Sequence, residues 1–169
     1  MAEHARQDLS SMASSVARLL TTAKQTVAVA ESSAGGLISA ALVAVAGASA
    51  YYLGGGVIYT QASRRGLLRV PDEAFADVRA STEPYALLKA RTVREQLGAT
   101  WGLSETGASG PTGNRYGDAP GHACIAVAGP VERVITLETR QPDREGNMWT
   151  FAKAALELLE ACIKEHGAP

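Results

Sequence analysis

The chain has 169 residues and a net charge of −1, from 16 lysines and arginines against 17 aspartates and glutamates. This length suits one domain, so residues 1–169 are interpreted as a single domain with residues 1–8 flexible. The near-neutral charge gives no electrostatic basis for binding nucleic acid or an anionic membrane. The first residues do not resemble a signal peptide, and no apolar run reaches the ~18 residues of a membrane span. We therefore expect a cytoplasmic protein.

Helix-like and strand-like segments alternate along the chain. Helical periodicity and capping residues predict five helices, around residues 9–20, 37–45, 61–68, 82–97 and 147–162. Apolar, β-branched runs predict five strands, at residues 26–30, 54–59, 100–106, 122–128 and 131–138. Gly129 and Pro130 separate the last two strands and indicate a hairpin. This order predicts one α/β domain with a mixed sheet.

The turn at residues 31–36, which reads Glu-Ser-Ser-Ala-Gly-Gly, is the first candidate for chemistry. Ser32 lies where a strand meets a helix, near backbone N–H groups and the positive end of the helix dipole. Such a place can hold a phosphate or stabilise an oxyanion. Gly35 and Gly36 allow the backbone to approach a ligand closely. A tight helix cap without further function is the alternative explanation for the same residues.

The loop at residues 107–114 is the second candidate, because successive N–H groups in glycine-rich loops can form an anion-binding concavity. No lysine follows as in a phosphate loop, and a disordered loop is the alternative. The three histidines lack metal-ligand spacing, so we expect no metal site and no cofactor. Cys124 and Cys162 are expected to fill core positions.

Together these segments resemble the C-terminal domain family of the competence/damage-inducible protein CinA. The family's Glu-Ser-Cys-Thr-Gly-Gly turn matches residues 31–36, and its Gly-Gly…Tyr-Ser-Asn-x-x-Lys stretch matches residues 55–64. Its Thr-Gly-x-x-Gly-Pro-Gly-Gly loop matches residues 106–113, and Asp143-Arg144 resembles the family's Gly-Asp-Arg. The motifs agree in order and spacing over nearly the whole chain, which makes the resemblance far more specific than any one motif.

The resemblance implies a three-layer α/β/α fold and an amidohydrolase that acts on nicotinamide mononucleotide or a related small phosphorylated amide. Carried over to this chain, Ser32 matches the nucleophile and Tyr59 the tyrosine beside it, with the N–H groups of residues 34–36 suited to the oxyanion. Substrate-binding positions carried over in the same way are Gly35, Gly36, Thr106, Gly107, Gly110 and Arg144. Ser32, Tyr59 and Arg64 are expected to meet in one cleft under the loop at residues 107–113.

The position of the family's lysine base is occupied by Arg64, which keeps its proton at neutral pH and cannot act as a base. Glu105 and His122, which also depart from the family's pattern, are candidate replacement bases, and solvent exposure of both is the alternative. A catalytically inactive homologue that binds a nucleotide or another anion through Arg64 is therefore a second functional hypothesis. A third is an interaction module, because the many alanines and glycines permit the close helix contacts of a homo-oligomer.

Overall fold

A computed structural model describes residues 2–167, with side chains from residue 5 onward. Its helices are α1 (Ala2–Ala23), α2 (Leu37–Val43), α3 (Gln61–Ser63), α4 (Glu83–Leu97) and α5 (Arg144–Gly167). Its strands are β1 (Val27–Glu31), β2 (Tyr52–Val57), β3 (Trp101–Ala108), β4 (His122–Ala128) and β5 (Arg133–Glu138). A π-helical stretch (Arg64–Leu68) follows α3 directly. The predicted order of helices and strands is confirmed.

The five strands form one mixed sheet in the order β2-β1-β3-β4-β5. β1 pairs in parallel with β2 and β3, whereas β4 is antiparallel to both β3 and β5. The predicted hairpin of the last two strands is therefore confirmed. The sequence predicts the second strand at residues 54–59, with three glycines at its start. In the structure β2 begins at Tyr52, so these glycines lie inside the strand.

Helices cover both faces of the sheet, so the three-layer α/β/α architecture is confirmed. α1, α2 and α5 bury the larger core against one face, with Trp101, Leu103 and Ile125 at its centre. α4 lies on the other face and packs against β1, β3 and β4. That second contact is built from small side chains, among them Ala86 and Ala90, so the helix lies close to the strands. The two cysteines are buried and free, as predicted.

Local capping signals set the ends of α4 as the sequence predicts. The Thr82 hydroxyl accepts from the Tyr85 N–H at the start of α4, and Gly98 adopts φ 64° where the helix ends. The N-terminal residues differ from expectation. α1 begins at Ala2, so residues 2–8, expected to be flexible, are helical, while Met1 lies outside the described residues. In the described chain, no helix combines the length and apolarity needed to cross a membrane.

Candidate functional site

Five of the predicted site residues line a single cleft of about 1070 Å³ at the carboxyl ends of β1, β2 and β3: Ser32, Tyr59, Arg64, Thr106 and Gly107. This is the edge of a parallel sheet where ligands usually bind. The predicted meeting of Ser32, Tyr59 and Arg64 is therefore found. Of the loop predicted to cover the cleft, residues 107–113, Gly107 lines it, and residues 114–116 complete the wall. The predicted positions outside the lining are Gly35, Gly36, Glu105, Gly110, His122 and Arg144.

The N–H groups of the turn that carries Ser32 already donate hydrogen bonds within the protein. The Ala34 N–H donates to the Glu105 carboxylate at 2.8 Å, and the Gly36 N–H donates to the Glu31 carboxylate at 2.9 Å. The Gly35 N–H donates to the Ser32 carbonyl at 3.0 Å. The expectation that residues 34–36 supply an oxyanion hole is therefore wrong for this conformation, because each donor already has an acceptor.

Glu105 is fully buried beneath the turn rather than exposed to solvent. One carboxylate oxygen accepts from the Ser32 N–H at 3.0 Å and from the Ala34 N–H, and the other accepts from the Ser33 hydroxyl. Burial raises the pKa of Glu105, while the Ser33 and Ala34 hydrogen bonds oppose that rise. Since the carboxylate holds the main chain of Ser32 and bonds the Ser33 hydroxyl instead of the Ser32 hydroxyl, the geometry argues against Glu105 as the base.

His122 is also buried, with both ring nitrogens facing acceptors. Nδ1 lies against the Glu138 carboxylate, and Nε2 is 2.9 Å from the Ser81 carbonyl oxygen. Burial lowers the pKa of His122, but these two hydrogen bonds and the negative charges of Glu138 and Asp118 together outweigh burial and leave the pKa above its usual value. An imidazole that donates from both nitrogens carries no free lone pair, so the geometry argues against His122 as the base as well.

Arg64 points inward rather than lying on a solvated helix face. Its side chain is 9% exposed, and its guanidinium carbon lies 4.5 Å from the centroid of the Phe75 ring. Nη2 donates to Asp72 at 2.6 Å, while the buried Nε has no hydrogen-bond partner among the described residues. Arg65 binds the same carboxylate, and hydrogen bonds from Arg65 and Arg64 lower the pKa of Asp72 to about 2.

Arg144 connects two parts of the site from outside the cleft. Nη1 donates to the Gly110 carbonyl at 2.6 Å, and Nη2 donates to the Tyr59 hydroxyl at 2.9 Å. The buried Asn147 of α5 holds the same loop, because its side-chain amide donates to the Ser109 carbonyl at 2.7 Å. Arg144 therefore ties Tyr59 to the loop at residues 109–110, and the structure does not bring it to the cleft wall as a phosphate contact.

Sequence reasoning missed several polar groups of the site. Arg79 and Arg115 line the cleft beside Tyr116, and Arg79 also pairs with Asp118 at 2.6 Å. Arg115 has no carboxylate within ion-pair distance in the described part of the chain. These residues lie far from Ser32 in sequence, and no motif marks them. No described group of three His, Cys, Asp or Glu side chains is arranged to hold a metal ion.

Comparisons with known proteins agree on one family. The model of the CinA C-terminal domain matches residues 9–163. A CinA-like protein of Gloeobacter violaceus is 39% identical over 155 residues, which is 90% of this chain and 36% of that protein. A CinA-like protein of Synechococcus sp. (strain RCC307) is 39% identical over 142 residues, 84% of this chain and 34% of that protein. The chain thus spans about a third of the length of these relatives.

Solved structures agree with the fold. The competence/damage inducible protein CihA from Agrobacterium tumefaciens has a TM-score of 0.81 at 28% identity, covering 91% of this chain and 94% of that one. A CinA superfamily protein from Klebsiella pneumoniae has a TM-score of 0.85 at 24% identity, covering 93% and 98%, and supports the fold alone. With a family match over residues 9–163 and relatives that are 39% identical, this chain belongs to the CinA C-terminal domain family.

Proposed function

We propose that this protein binds a small phosphorylated molecule in the cleft and does not hydrolyse it. The observation that carries the proposal is the charge of the cleft wall. The wall carries two carboxylates, Asp72 and Glu73. It also carries four arginines: Arg64, Arg65, Arg79 and Arg115. This excess of fixed positive charge favours an anionic ligand, and guanidinium groups match phosphate with paired hydrogen bonds.

Arg64 is the arginine best placed to hold the anion. Its stacking on Phe75 and its bond to Asp72 fix the guanidinium, so little side-chain freedom is lost when a ligand binds. Because the side chain is 9% exposed, a hydrogen bond there is stronger than on an open surface.

The surroundings of Ser32 support binding without hydrolysis. Its described hydrogen bond to Glu105 runs through the main-chain N–H and leaves the hydroxyl without a base. A guanidinium at Arg64 does not accept a proton at neutral pH. The N–H donors of the turn are already paired. In this arrangement the Ser32 hydroxyl serves as a hydrogen-bonding group of the cleft wall.

Calorimetric titration with nicotinamide mononucleotide and with inorganic phosphate tests the proposal. We expect Arg64→Gln to weaken binding by about ten- to a hundredfold, the range of one lost hydrogen bond to a charged group. The matched control is Arg91→Gln, because Arg91 is exposed, pairs with Glu132 and lies outside the cleft lining. Absence of binding by either probe at millimolar concentration, or equal affinity for wild type and Arg64→Gln, would overturn the proposal.

A serine amidohydrolase is the second candidate, favoured by the position of Ser32. Ser32 lies on the cleft wall together with Tyr59, and these are the residues that the resemblance assigns to the nucleophile and to the tyrosine beside it. Ammonia release from nicotinamide mononucleotide distinguishes the two functions. We expect no ammonia release from wild type or from Ser32→Ala. If Arg64→Lys released ammonia and the additional substitution Ser32→Ala abolished that release, only the base would be missing from this chain. Release by wild type that Ser32→Ala abolishes would establish the amidohydrolase instead.

A further inference from the structure

Three ionisable side chains lie fully buried beneath the turn that carries Ser32: Glu31, Lys89 and Glu105. They come from β1, α4 and β3, and none of them lines the cleft. Charges are removed from water at a high free-energy cost unless they are paired or hydrogen-bonded. A cluster of two carboxylates and one ammonium is therefore expected to have a structural task that depends on its charges.

The two carboxylates hold successive parts of one segment. Glu31 accepts from the N–H groups of Gly36, Ile38 and Ser39 at 2.9, 3.1 and 3.0 Å, which fixes the start of α2. Glu105 accepts from the N–H groups of Ser32 and Ala34, which fixes the turn before it. The main-chain direction at Ser32, and with it the direction of the side chain into the cleft, is thus set by Glu105.

Lys89 supplies the positive charge of the cluster. Its ammonium donates to the main-chain carbonyl of Glu105 at 2.9 Å and lies 5.6 Å from the centroid of the Tyr85 ring. The charged groups that act on it are Glu105 from β3 and Glu31 from β1, and both favour the ammonium form. Burial acts more strongly in the opposite direction and lowers the pKa of Lys89 to about 8.

We propose that Lys89 is a positioning residue for Ser32. Its ammonium anchors the main chain of Glu105 and offsets part of the negative charge of the two buried carboxylates, so that an ionised Glu105 can hold the turn in its cleft-facing conformation. Without that charge, Glu105 is a buried carboxylate that has lost its counter-charge, and the arrangement of the turn over it becomes less stable. The effect on ligand binding rests on the proposed function, whereas the effect on the Ser32 turn does not.

The first test follows the Ser32 turn itself. We expect the amide ¹H–¹⁵N chemical shifts of Ser32 and Ala34 to change together between pH 6 and 10, with a midpoint near 8. This step is expected to vanish in Lys89→Met and to persist in the control Lys153→Met, where an exposed lysine pairs with Glu157. The inference would be overturned if these chemical shifts showed no titration near pH 8 in wild type, or if the same titration remained in Lys89→Met.

A double variant keeps the test decisive where Lys89→Met is too unstable to study. Lys89→Met/Glu105→Gln removes the charges of Lys89 and Glu105 together and preserves the side-chain sizes closely. Glu105 is then not left as a buried carboxylate without its counter-charge, and Glu31 keeps its own N–H donors. We expect this variant to fold and to lack the step near pH 8, and a retained step would contradict the role of Lys89.

Calorimetry with nicotinamide mononucleotide adds the consequence for the cleft. Wild type is expected to bind about tenfold more weakly at pH 9 than at pH 7, the order of one lost charge-assisted hydrogen bond, and the double variant is expected to show equal affinities at the two pH values. If wild type binds equally at both pH values while the amide step is present, Lys89 does not position Ser32 for the ligand. If no binding occurs at all, the proposed function fails and the amide titration still decides the role of Lys89 in the turn.

Discussion

Replacement of Gly102 by alanine is expected to lower the free energy of unfolding by roughly 3 kcal/mol, at the upper end of the usual cost of overpacking. Gly102 lies in β3 under α4, and a Cβ atom there would fall on the carbonyl oxygen of Ala90 and within 2.8 Å of the Arg94 Cβ. Both atoms belong to the rigid part of the helix, so α4 has to move away from the sheet. Urea unfolding followed by circular dichroism measures the loss.

Gly66→Ala is the matched control for this substitution. Nothing lies within 4 Å of a Cβ at Gly66, and the residue is part of a helical stretch where alanine is favoured over glycine. Its unfolding midpoint is expected to equal or exceed that of wild type. If Gly102→Ala unfolded at the same urea concentration as Gly66→Ala, α4 would not lie as close to β3 as the structure has it.

Glu31→Ala is expected to cost roughly 3–5 kcal/mol of stability, the range for removing one partner from a buried charged network. The carboxylate accepts three N–H groups at the start of α2 and the Ser39 hydroxyl at 2.6 Å. Alanine leaves these donors buried without acceptors and leaves Lys89 with one carboxylate fewer. The same urea titration reports the loss, and a weaker complex with the phosphorylated probe is expected to accompany it.

Glu157→Ala provides the comparison for a glutamate on the surface. Glu157 pairs with Lys153 at 3.2 Å one turn away on α5, and both side chains are largely exposed. Such pairs contribute about 0.5 kcal/mol or less. A similar small loss for Glu31→Ala would mean that water or another side chain satisfies the turn, and the proposed organisation of the cleft would lose its basis.

The elements of this fold were predictable because their signals are local. Thr82 and Gly98 bracket α4 through hydrogen bonds and a backbone angle that involve residues within the helix ends themselves. The hairpin of β4 and β5 follows from two apolar runs separated by a short turn. Leu97 continues the helical spacing of Ala86, Ala90 and Val93 but is 43% exposed, because it lies at the end of the helix beside the edge strand β2.

The roles of the charged residues were not predictable in the same way. Arg64 lies in a π-helical stretch that turns it onto Phe75 and Asp72, contacts that no spacing within residues 61–68 indicates. Glu105 and His122 were expected either to act as bases or to face solvent. The structure buries Glu105 against partners 71 to 73 residues away and His122 against partners 16 and 41 residues away. Burial of a polar group depends on which elements pack over it, and that is a property of the assembled layers.

The amino-acid sequence by itself determined the family, the alternation of strands and helices, and the meeting of Ser32, Tyr59 and Arg64 at one sheet edge. It could do so because the family's motifs occur in this chain in the same order and spacing, and they carry these three residues. Only the tertiary structure decided that the N–H groups of the turn are already paired, that Lys89 is buried with two carboxylates, and that four arginines line the cleft. Electrostatic free energy depends on distance and burial, which the fold sets by joining segments far apart in the chain.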